Sequence, residues 1–321
     1  MASSRVVIRE GADALRSCLL ALDLKSKLRR VKKVLIKPNL RAAAVAGYLP
    51  GSITSVRLIE QLVDHLREEG VEVWIGESTS SRGITARAIA RSGLHALSQK
   101  AKVINLNEES CVAVRTGDDD LKYLEFPRPV LEADFLISMP VMKTHSVTLV
   151  SLGLKNMMGS TSEYMPVRIH LKGLDASIAL LNKVKRPDLT IVDATTAMEG
   201  TGPVLGTSLH LDTVIAGYDP VAVDTVSTRL MGFSPLSVGH IVEAARLGIG
   251  SMTSESVDGL LTEHRFRPSR HGFLVDLYAY KWFNLIISLR PAHNFLYGTG
   301  YEVTKKLLRL FNPVDRRRRS S

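Results

Sequence analysis

The chain has 321 residues, of which 45% are hydrophobic and 23% are charged. This composition is typical of a soluble globular protein that is long enough to bury a sizeable core. The net charge of +10 is concentrated at one end, because residues 263–321 carry +8 and residues 1–262 only +2. A nearly neutral body does not favour nucleic-acid binding, so no nucleic-acid partner is expected.

The two cysteines exclude a disulfide framework and a multi-cysteine metal cluster. Charged residues interrupt the apolar residues at the start of the chain, which does not fit the pattern of a signal peptide. We therefore expect a cytoplasmic location, with a reducing environment consistent with the low cysteine content.

Apolar, β-branched runs alternate with helical patterns over the first 107 residues. The runs KKVLIKPNL, VEVWIGES and AKVINLN are predicted strands, and the segments SVRLIEQLVDHLREEG and TARAIARSGLHALSQK between them are predicted helices. Strands that alternate with helices in this way predict an α/β fold with a mostly parallel, doubly wound sheet.

The alternation resumes after residue 132. Further strands are predicted in ADFLISMPVM, DLTIVDATTAM and LDTVIAGYDP, and further helices in DASIALLNKVK, PVAVDTVSTRLMG and VGHIVEAARLGIG. We therefore expect an α/β body over residues 1–262, built either as one lobe or as two sub-lobes, 1–130 and 131–262.

Residues 263–321 differ from the body, since they hold 10 of the 18 aromatic residues and end in RRRRSS. The apolar run GFLVDLYAYKWFNLIISL carries Asp276 and Lys281, which makes it a poor transmembrane span. We expect a C-terminal helical extension, rich in aromatic and basic residues. It would pack on the body, contact a second copy of the chain, or lie peripherally on the inner face of a membrane.

Polar side chains follow several predicted strands, and open α/β sheets bind their ligands outside the carboxyl ends of the strands. Basic and amide side chains cluster in this way, and together they predict a site for a small carboxylate- or phosphate-bearing ligand. The candidates are Lys37, Asn39, Lys143, His145, Lys155, Asn156 and Arg168. The alternative is that these cations are solvated or paired with acidic residues.

The acidic candidates lie in two later segments. Asp193 and Glu199 are in DATTAMEGTGPVLG, where Gly202 would let backbone approach a ligand closely or would simply turn the chain. Asp219 and Asp224 are in GYDPVAVDTV, and the first of them is equally well explained as a helix N-cap because a proline follows it.

A divalent metal is an open alternative for this site. His145, His170 and Asp193 are the candidate ligands, since imidazole and carboxylate groups together suit a mixed nitrogen and oxygen site. No two histidines show the i, i+4 spacing of a helix-borne pair, so such a site would have to be assembled by the fold. The identity of any cofactor stays open.

The segments VLIKPNL, DFLISMPVMKTHSVTLVSLGLKNMMG, DLTIVDATTAMEGTGPVLG and VIAGYDPVAVDTVSTRLMG, in this order, resemble the domain-of-unknown-function 362 family. The resemblance covers about residues 34–250, and its specific elements are Lys-x-His and Leu-Lys-Asn-x-x-Gly. Many members of that family carry ferredoxin-type cysteine clusters and are described as iron–sulfur proteins. This chain departs from them, because Cys18 and Cys111 alone cannot hold a conventional cluster. No protein-bound iron–sulfur cluster is therefore expected.

Two functions agree with these observations. The first is an enzyme acting on a small anionic metabolite, with Lys143, His145 and Asp193 as catalytic residues and His145 as the acid/base. The second is a non-catalytic ligand-binding or scaffold protein that its C-terminal extension recruits to a membrane surface or a partner.

Overall fold

The structure is a computed structural model that describes residues 4–45, 47–260 and 262–269. The strands in this part of the chain are β1 Val6–Glu10, β2 Lys33–Pro38, β3 Glu72–Glu77, β4 Lys102–Asn105, β5 Cys111–Arg115, β6 Tyr123–Pro127, β7 Phe135–Met139, β8 Val141–His145, β9 Leu149–Ser151, β10 Leu189–Glu199, β11 Thr207–Gly217 and β12 Val257–Asp258. The helices are α1 Ala14–Ala21, α2 Leu24–Leu28, α3 Val56–Glu68, α4 Arg82–Ser92, α5 Arg128–Glu132, α6 Gly153–Asn156, α7 Met165–Lys172, α8 Leu174–Val184, α9 Pro220–Leu230 and α10 Gly239–Arg246.

One large sheet organises the fold. Its main path runs β12-β1-β11-β10-β7-β2-β3-β4, and β8 and β9 extend it beside β10. Neighbours from β10 through β7, β2 and β3 to β4 are parallel, whereas β11 pairs antiparallel with both β1 and β10. The predicted α/β class with a mostly parallel sheet is confirmed.

Helices cover both faces of this sheet because successive strand residues point to opposite sides. In β2, Val34 and Ile36 join the cluster formed with α1 and α3, while Leu35 joins the cluster formed with α8, α9 and α10. A central strand buried on both faces therefore needs the continuous apolar run that the sequence shows.

Helix α3 agrees with the helix predicted for this segment from the spacing of its apolar residues. It begins after Ser55, whose side chain accepts a hydrogen bond from the Leu58 backbone N–H at 3.4 Å. Its buried residues form one face: Leu58, Ile59, Leu62, Val63 and Leu66.

The boundaries of two predicted strands were wrong. Pro140 ends β7 as expected, but the chain continues directly into β8, so Lys143 and His145 lie within a strand rather than after one. Strand β8 pairs with the nearby strand β9 in a short hairpin and with the distant strand β10, and a local pattern does not reveal the second of these pairings. Likewise Asp193 lies in the middle of β10, just before a bulge.

Strands from both of the possible sub-lobes, residues 1–130 and 131–262, belong to the one large sheet. The predicted domain bounds stay a prediction. The chain divides into a unit of residues 1–271 and a second unit of residues 272–321, which lies outside the described residues. Most of the predicted C-terminal extension therefore also lies outside them. Within the described ranges, no helix is long and apolar enough to cross a membrane.

Candidate functional site

Asn156, at the end of α6, joins the carboxyl ends of two parallel strands. Its side-chain Nδ2 donates to the Lys37 carbonyl of β2 at 2.9 Å and to Ser138 Oγ of β7 at 3.1 Å. Its Oδ1 accepts from Asn39 Nδ2 at 3.3 Å. The four residues come from three parts of the chain, and the buried amide of Asn156 therefore holds α6 against the edge of the sheet where ligands of such folds bind.

The Lys37 side chain is 1% exposed and forms an ion pair with Glu77, with Nζ 2.6 Å from Oε1. The other carboxylate oxygen of Glu77 accepts the Leu40 backbone N–H at 2.8 Å. Burial lowers the pKa of Lys37 and raises that of Glu77, while the attraction between the two groups opposes both shifts. Since Lys37 already has a carboxylate partner, it ties β2 to β3 and offers no unpaired charge to a ligand.

Lys143 is also buried and also bonded within the protein. Its Nζ donates to Asn39 Oδ1 at 2.8 Å and to the Ser52 carbonyl at 2.7 Å. Burial, reinforced by the positive charge of Lys155, lowers the pKa of Lys143 to about 7. Lys143 therefore connects β8 to the segment after β2 and to the loop that leads into α3.

Lys155 differs from these two lysines. It lies on α6 and is partly exposed, and its side-chain amino group forms no hydrogen bond or ion pair with any other residue that the structure describes. Burial and the positive charge of Arg41 lower the pKa of Lys155 to about 8, and the carboxylate of Asp175 opposes this.

The backbone of α6 is held by a carboxylate from α9. Asp224 is fully buried, and its two oxygens accept the backbone N–H groups of Gly153 at 2.8 Å and Leu154 at 2.9 Å. These N–H groups open the helical turn and have no partner within it. Asp224 thus sets the position of the turn that carries Lys155 and Asn156.

Two histidines lie close enough to Lys155 for its charge to lower their pKa values. Burial is the larger cause, and it holds the pKa of His145 well below its usual value and lowers that of His170 to about 4. His145 Nδ1 accepts backbone N–H groups from Val147 at 3.1 Å and Thr148 at 3.4 Å. The neutral ring of His145 therefore carries its proton on Nε2.

His170 has the opposite tautomer. Its Nδ1 lies 2.5 Å from the carbonyl oxygen of Pro166, one turn earlier in α7. A carbonyl can only accept, so Nδ1 bears the hydrogen. Arg41, in the short turn after β2, is near enough to lower the pKa values of Lys143, Lys155 and His170. Lys155, Arg41, His145 and His170 are called the basic cluster below.

The predicted acidic residues bind parts of the protein. Asp193 accepts the Ser55 backbone N–H at 2.7 Å and the Thr195 hydroxyl at 2.6 Å, and burial raises its pKa. Glu199 pairs with Arg267 at 2.5 Å.

Asp219 caps α9 by accepting the backbone N–H groups of Val221 at 2.8 Å and Ala222 at 3.1 Å, the capping role that the sequence left open. Gly202 packs so closely on the Thr144 backbone that a Cβ atom there would overlap it. These contacts account for both residues without a ligand.

Arg168 is exposed on α7, with Nη1 3.8 Å from Met165 Sδ. Each of the three candidate metal ligands, His145, His170 and Asp193, forms hydrogen bonds with a different part of the protein. Within the described ranges, no three His, Cys, Asp or Glu side chains are grouped so that they could hold a metal ion.

Sequence reasoning missed two parts of this region. Arg41 stands only four residues after Lys37, and its position after a predicted strand was an available signal. His240 is fully buried with Nδ1 3.1 Å from Asp175 Oδ1, and its Nε2 has no hydrogen-bond partner. Lys155 also lowers the pKa of His240, although burial is the main cause. No local pattern indicates this pair, because its two residues are 65 positions apart.

The fold and the site together define an α/β protein with basic side chains at the carboxyl edge of a mostly parallel sheet. The chain belongs to the family described as domain of unknown function (DUF362), whose model matches residues 34–229. The resemblance found in the sequence is thereby confirmed.

A curated relative is the thylakoid-associated protein sll1697 of Synechocystis sp., which is 27% identical over 231 residues, 70% of each chain. Among solved structures, the lactate racemase apoprotein from Thermoanaerobacterium thermosaccharolyticum has a TM-score of 0.43 at 14% identity, over 75% of this chain and 56% of that protein. A protein from Thermotoga maritima has a TM-score of 0.43 at 16% identity, over 74% of this chain and 60% of that protein. The chain thus spans less than two thirds of either solved structure.

Proposed function

We propose that the basic cluster binds a small metabolite that carries a carboxylate or phosphate group. The observation that carries this proposal is Lys155, a partly buried lysine whose amino group has no bonding partner among the described residues, in a region where Arg41 adds a second positive charge. Buried charges in proteins are normally paired, because desolvation of an unpaired ion is costly. An anionic ligand would supply the missing partner.

The neighbouring groups suit an anion as well. His145 would present an uncharged Nε2–H donor, and Lys155 and Arg41 would supply charge-assisted hydrogen bonds to the oxygens of the ligand. Glu77 forms its ion pair with Lys37, and the two oxygens of Asp224 accept backbone N–H groups. Because these two carboxylates bind other groups, they do not neutralise the positive charge of the basic cluster. These contacts support an anion rather than a cation as the ligand.

In the enzymatic form of this proposal, the catalytic groups differ from those first expected. Lys143 and Asp193 each hold neighbouring backbone, and the Nδ1 atom of His145 accepts two N–H donors. To act as a base through Nε2, His145 would have to carry its proton on Nδ1 and lose both of those bonds. We therefore assign His145 as a hydrogen-bond donor that would stabilise negative charge on the substrate.

Replacing Lys155 with Gln should weaken the binding of inorganic phosphate by about ten- to a hundredfold, since one charge-assisted hydrogen bond contributes about 1.5–3 kcal/mol. Isothermal titration calorimetry on the full-length protein at pH 7 measures this affinity directly. Lys183→Gln is the matched control, because Lys183 is exposed on α8 and its charge change is the same. Equal phosphate affinity in both variants would contradict the proposed site.

A second candidate function is recruitment to a membrane surface. The Synechocystis relative is named as thylakoid-associated, and the last residues of this chain include four consecutive arginines, Arg316–Arg319. Each arginine near an anionic surface contributes about 1 kcal/mol of attraction. We propose that residues 263–321 bring the α/β body to the inner face of such a membrane as a peripheral protein.

Replacing Arg316–Arg319 with Gln should remove most of the binding of the full-length protein to anionic vesicles. Co-sedimentation with vesicles that contain phosphatidylglycerol measures this, and vesicles of phosphatidylcholine alone are the control for charge. Unchanged sedimentation of the variant with anionic vesicles would contradict this proposal. Deleting the segment from residue 263 is a poorer test, because Phe266 is buried in the core and Arg267 pairs with Glu199.

A further inference from the structure

Three lysines converge on the carboxyl edge of the sheet, and the protein itself occupies two of them. Lys37 is paired with Glu77, and Lys143 donates to Asn39 and to the Ser52 carbonyl. Both side chains are nearly inaccessible, with 1% and 3% of their surface exposed. Lys155 is partly exposed, and no described residue binds its amino group.

We propose that Lys155 is a nucleophile that forms an imine with the carbonyl group of an anionic substrate, such as a 2-oxo acid or an aldehyde bearing a carboxylate or phosphate. This inference rests on the proposed anion site, because Arg41 and the His145 Nε2–H would hold the charged end of the substrate. It names the substrate class and the reacting atom that the binding proposal leaves open.

The environment of Lys155 favours this chemistry. A lysine amine attacks a carbonyl only when it is deprotonated, and burial or a neighbouring cation raises the deprotonated fraction. Both causes act on Lys155, since burial and the nearby positive charge of Arg41 lower its pKa to about 8. Asp224 and Asn156 fix the turn from both sides, which holds the lysine backbone in place while the side chain reacts.

The step balances without an added oxidant or reductant. The neutral amine of Lys155 attacks the carbonyl carbon, and its lost proton and one further proton from solvent convert the carbonyl oxygen into water, which leaves. The product is a protonated imine, whose positive charge beside the carbonyl-derived carbon withdraws electrons from the substrate. Hydrolysis by water reverses the step and returns the free lysine.

Reductive trapping tests this proposal. The full-length protein is incubated at pH 7 with glyoxylate and cyanoborohydride, and peptide mass spectrometry follows carboxymethylation of each lysine. Lys155 should be modified at least about tenfold faster than the exposed Lys183, because burial and the charge of Arg41 lower the pKa of Lys155 to about 8 and so raise its deprotonated fraction at pH 7. Inorganic phosphate should protect Lys155 but not Lys183.

Acetaldehyde is the matched reagent, since it has the carbonyl but lacks the carboxylate. Preference of Lys155 for glyoxylate over acetaldehyde supports an anionic substrate, and equal rates with both reagents would overturn that assignment. If phosphate binding depends on Lys155 yet Lys155 reacts no faster than Lys183, the nucleophile is refuted and the anion site stands. If phosphate neither binds nor protects and no selective trapping occurs, both proposals fail.

Discussion

Replacing Glu77 with Gln should lower the free energy of unfolding by about 3–5 kcal/mol, which is the usual cost of removing one partner from a buried ion pair. The variant would leave the buried ammonium of Lys37 without a counter-charge and would remove one of the oxygens that accept the Leu40 and Ser78 backbone N–H groups. Urea unfolding followed by circular dichroism measures the change.

The matched control is Glu243→Gln on α10. Glu243 pairs with Arg246 at 2.8 Å, but this pair lies on the surface, so the expected loss is below about 1 kcal/mol. A second comparison is the double variant Lys37→Met/Glu77→Leu, which removes both charges and should be less destabilising than Glu77→Gln alone. If Glu77→Gln costs no more than the surface control, the pair does not stabilise the junction of β2 and β3.

Replacing Asp224 with Asn should lower the free energy of unfolding by about 1–3 kcal/mol and also weaken phosphate binding. The amide has a single oxygen, so its NH₂ group would face one of the two backbone donors, Gly153 or Leu154, and leave that donor unsatisfied. Because these donors begin α6, the turn that carries Lys155 should shift. Chemical denaturation and phosphate titration at pH 7 provide the two measurements.

The pH dependence of stability gives a further measure of the same variant. Burial raises the pKa of Asp224 from 3.8 to about 7, so the folded chain holds this proton more tightly than the unfolded chain does. The stabilisation of the folded chain that comes from this tighter proton binding is fully present below pH 3.8 and is lost as pH rises through about 7. Asp224→Asn should therefore lack this decline between pH 4 and pH 7.

Asp219→Asn is the matched control for the effect on binding. Asp219 lies on the first turn of the same helix and also accepts backbone N–H groups, from Val221, Ala222 and Ser251. Its replacement should cost a similar amount of stability without changing phosphate affinity, because α6 is held by Asp224 instead. Equal losses of affinity in the two variants would show that Asp224 acts through general stability alone.

Local patterns were sufficient for several main elements of this fold, but they misplaced some ends and missed a short strand. The apolar run of β2 and the helical spacing in α3 each predicted the correct element, since burial on both faces or on one face imposes a period on the sequence. The short strand β8 was missed because it is stabilised by pairing with β10, about 50 residues away in the chain. That error placed Lys143 and His145 after a strand rather than in one.

The sequence by itself determined the α/β class and the family, and it predicted a set of polar candidates for a site near the carboxyl ends of the strands. Only the tertiary structure decided which of these residues are already occupied. Lys37 and Lys155 look alike in a sequence, yet the amino group of one faces Glu77 across a buried junction and the amino group of the other has no bonding partner among the described residues. The physical reason is that the pairing of a charge and its desolvation depend on neighbours brought from distant segments, and residue type and spacing carry no record of those neighbours.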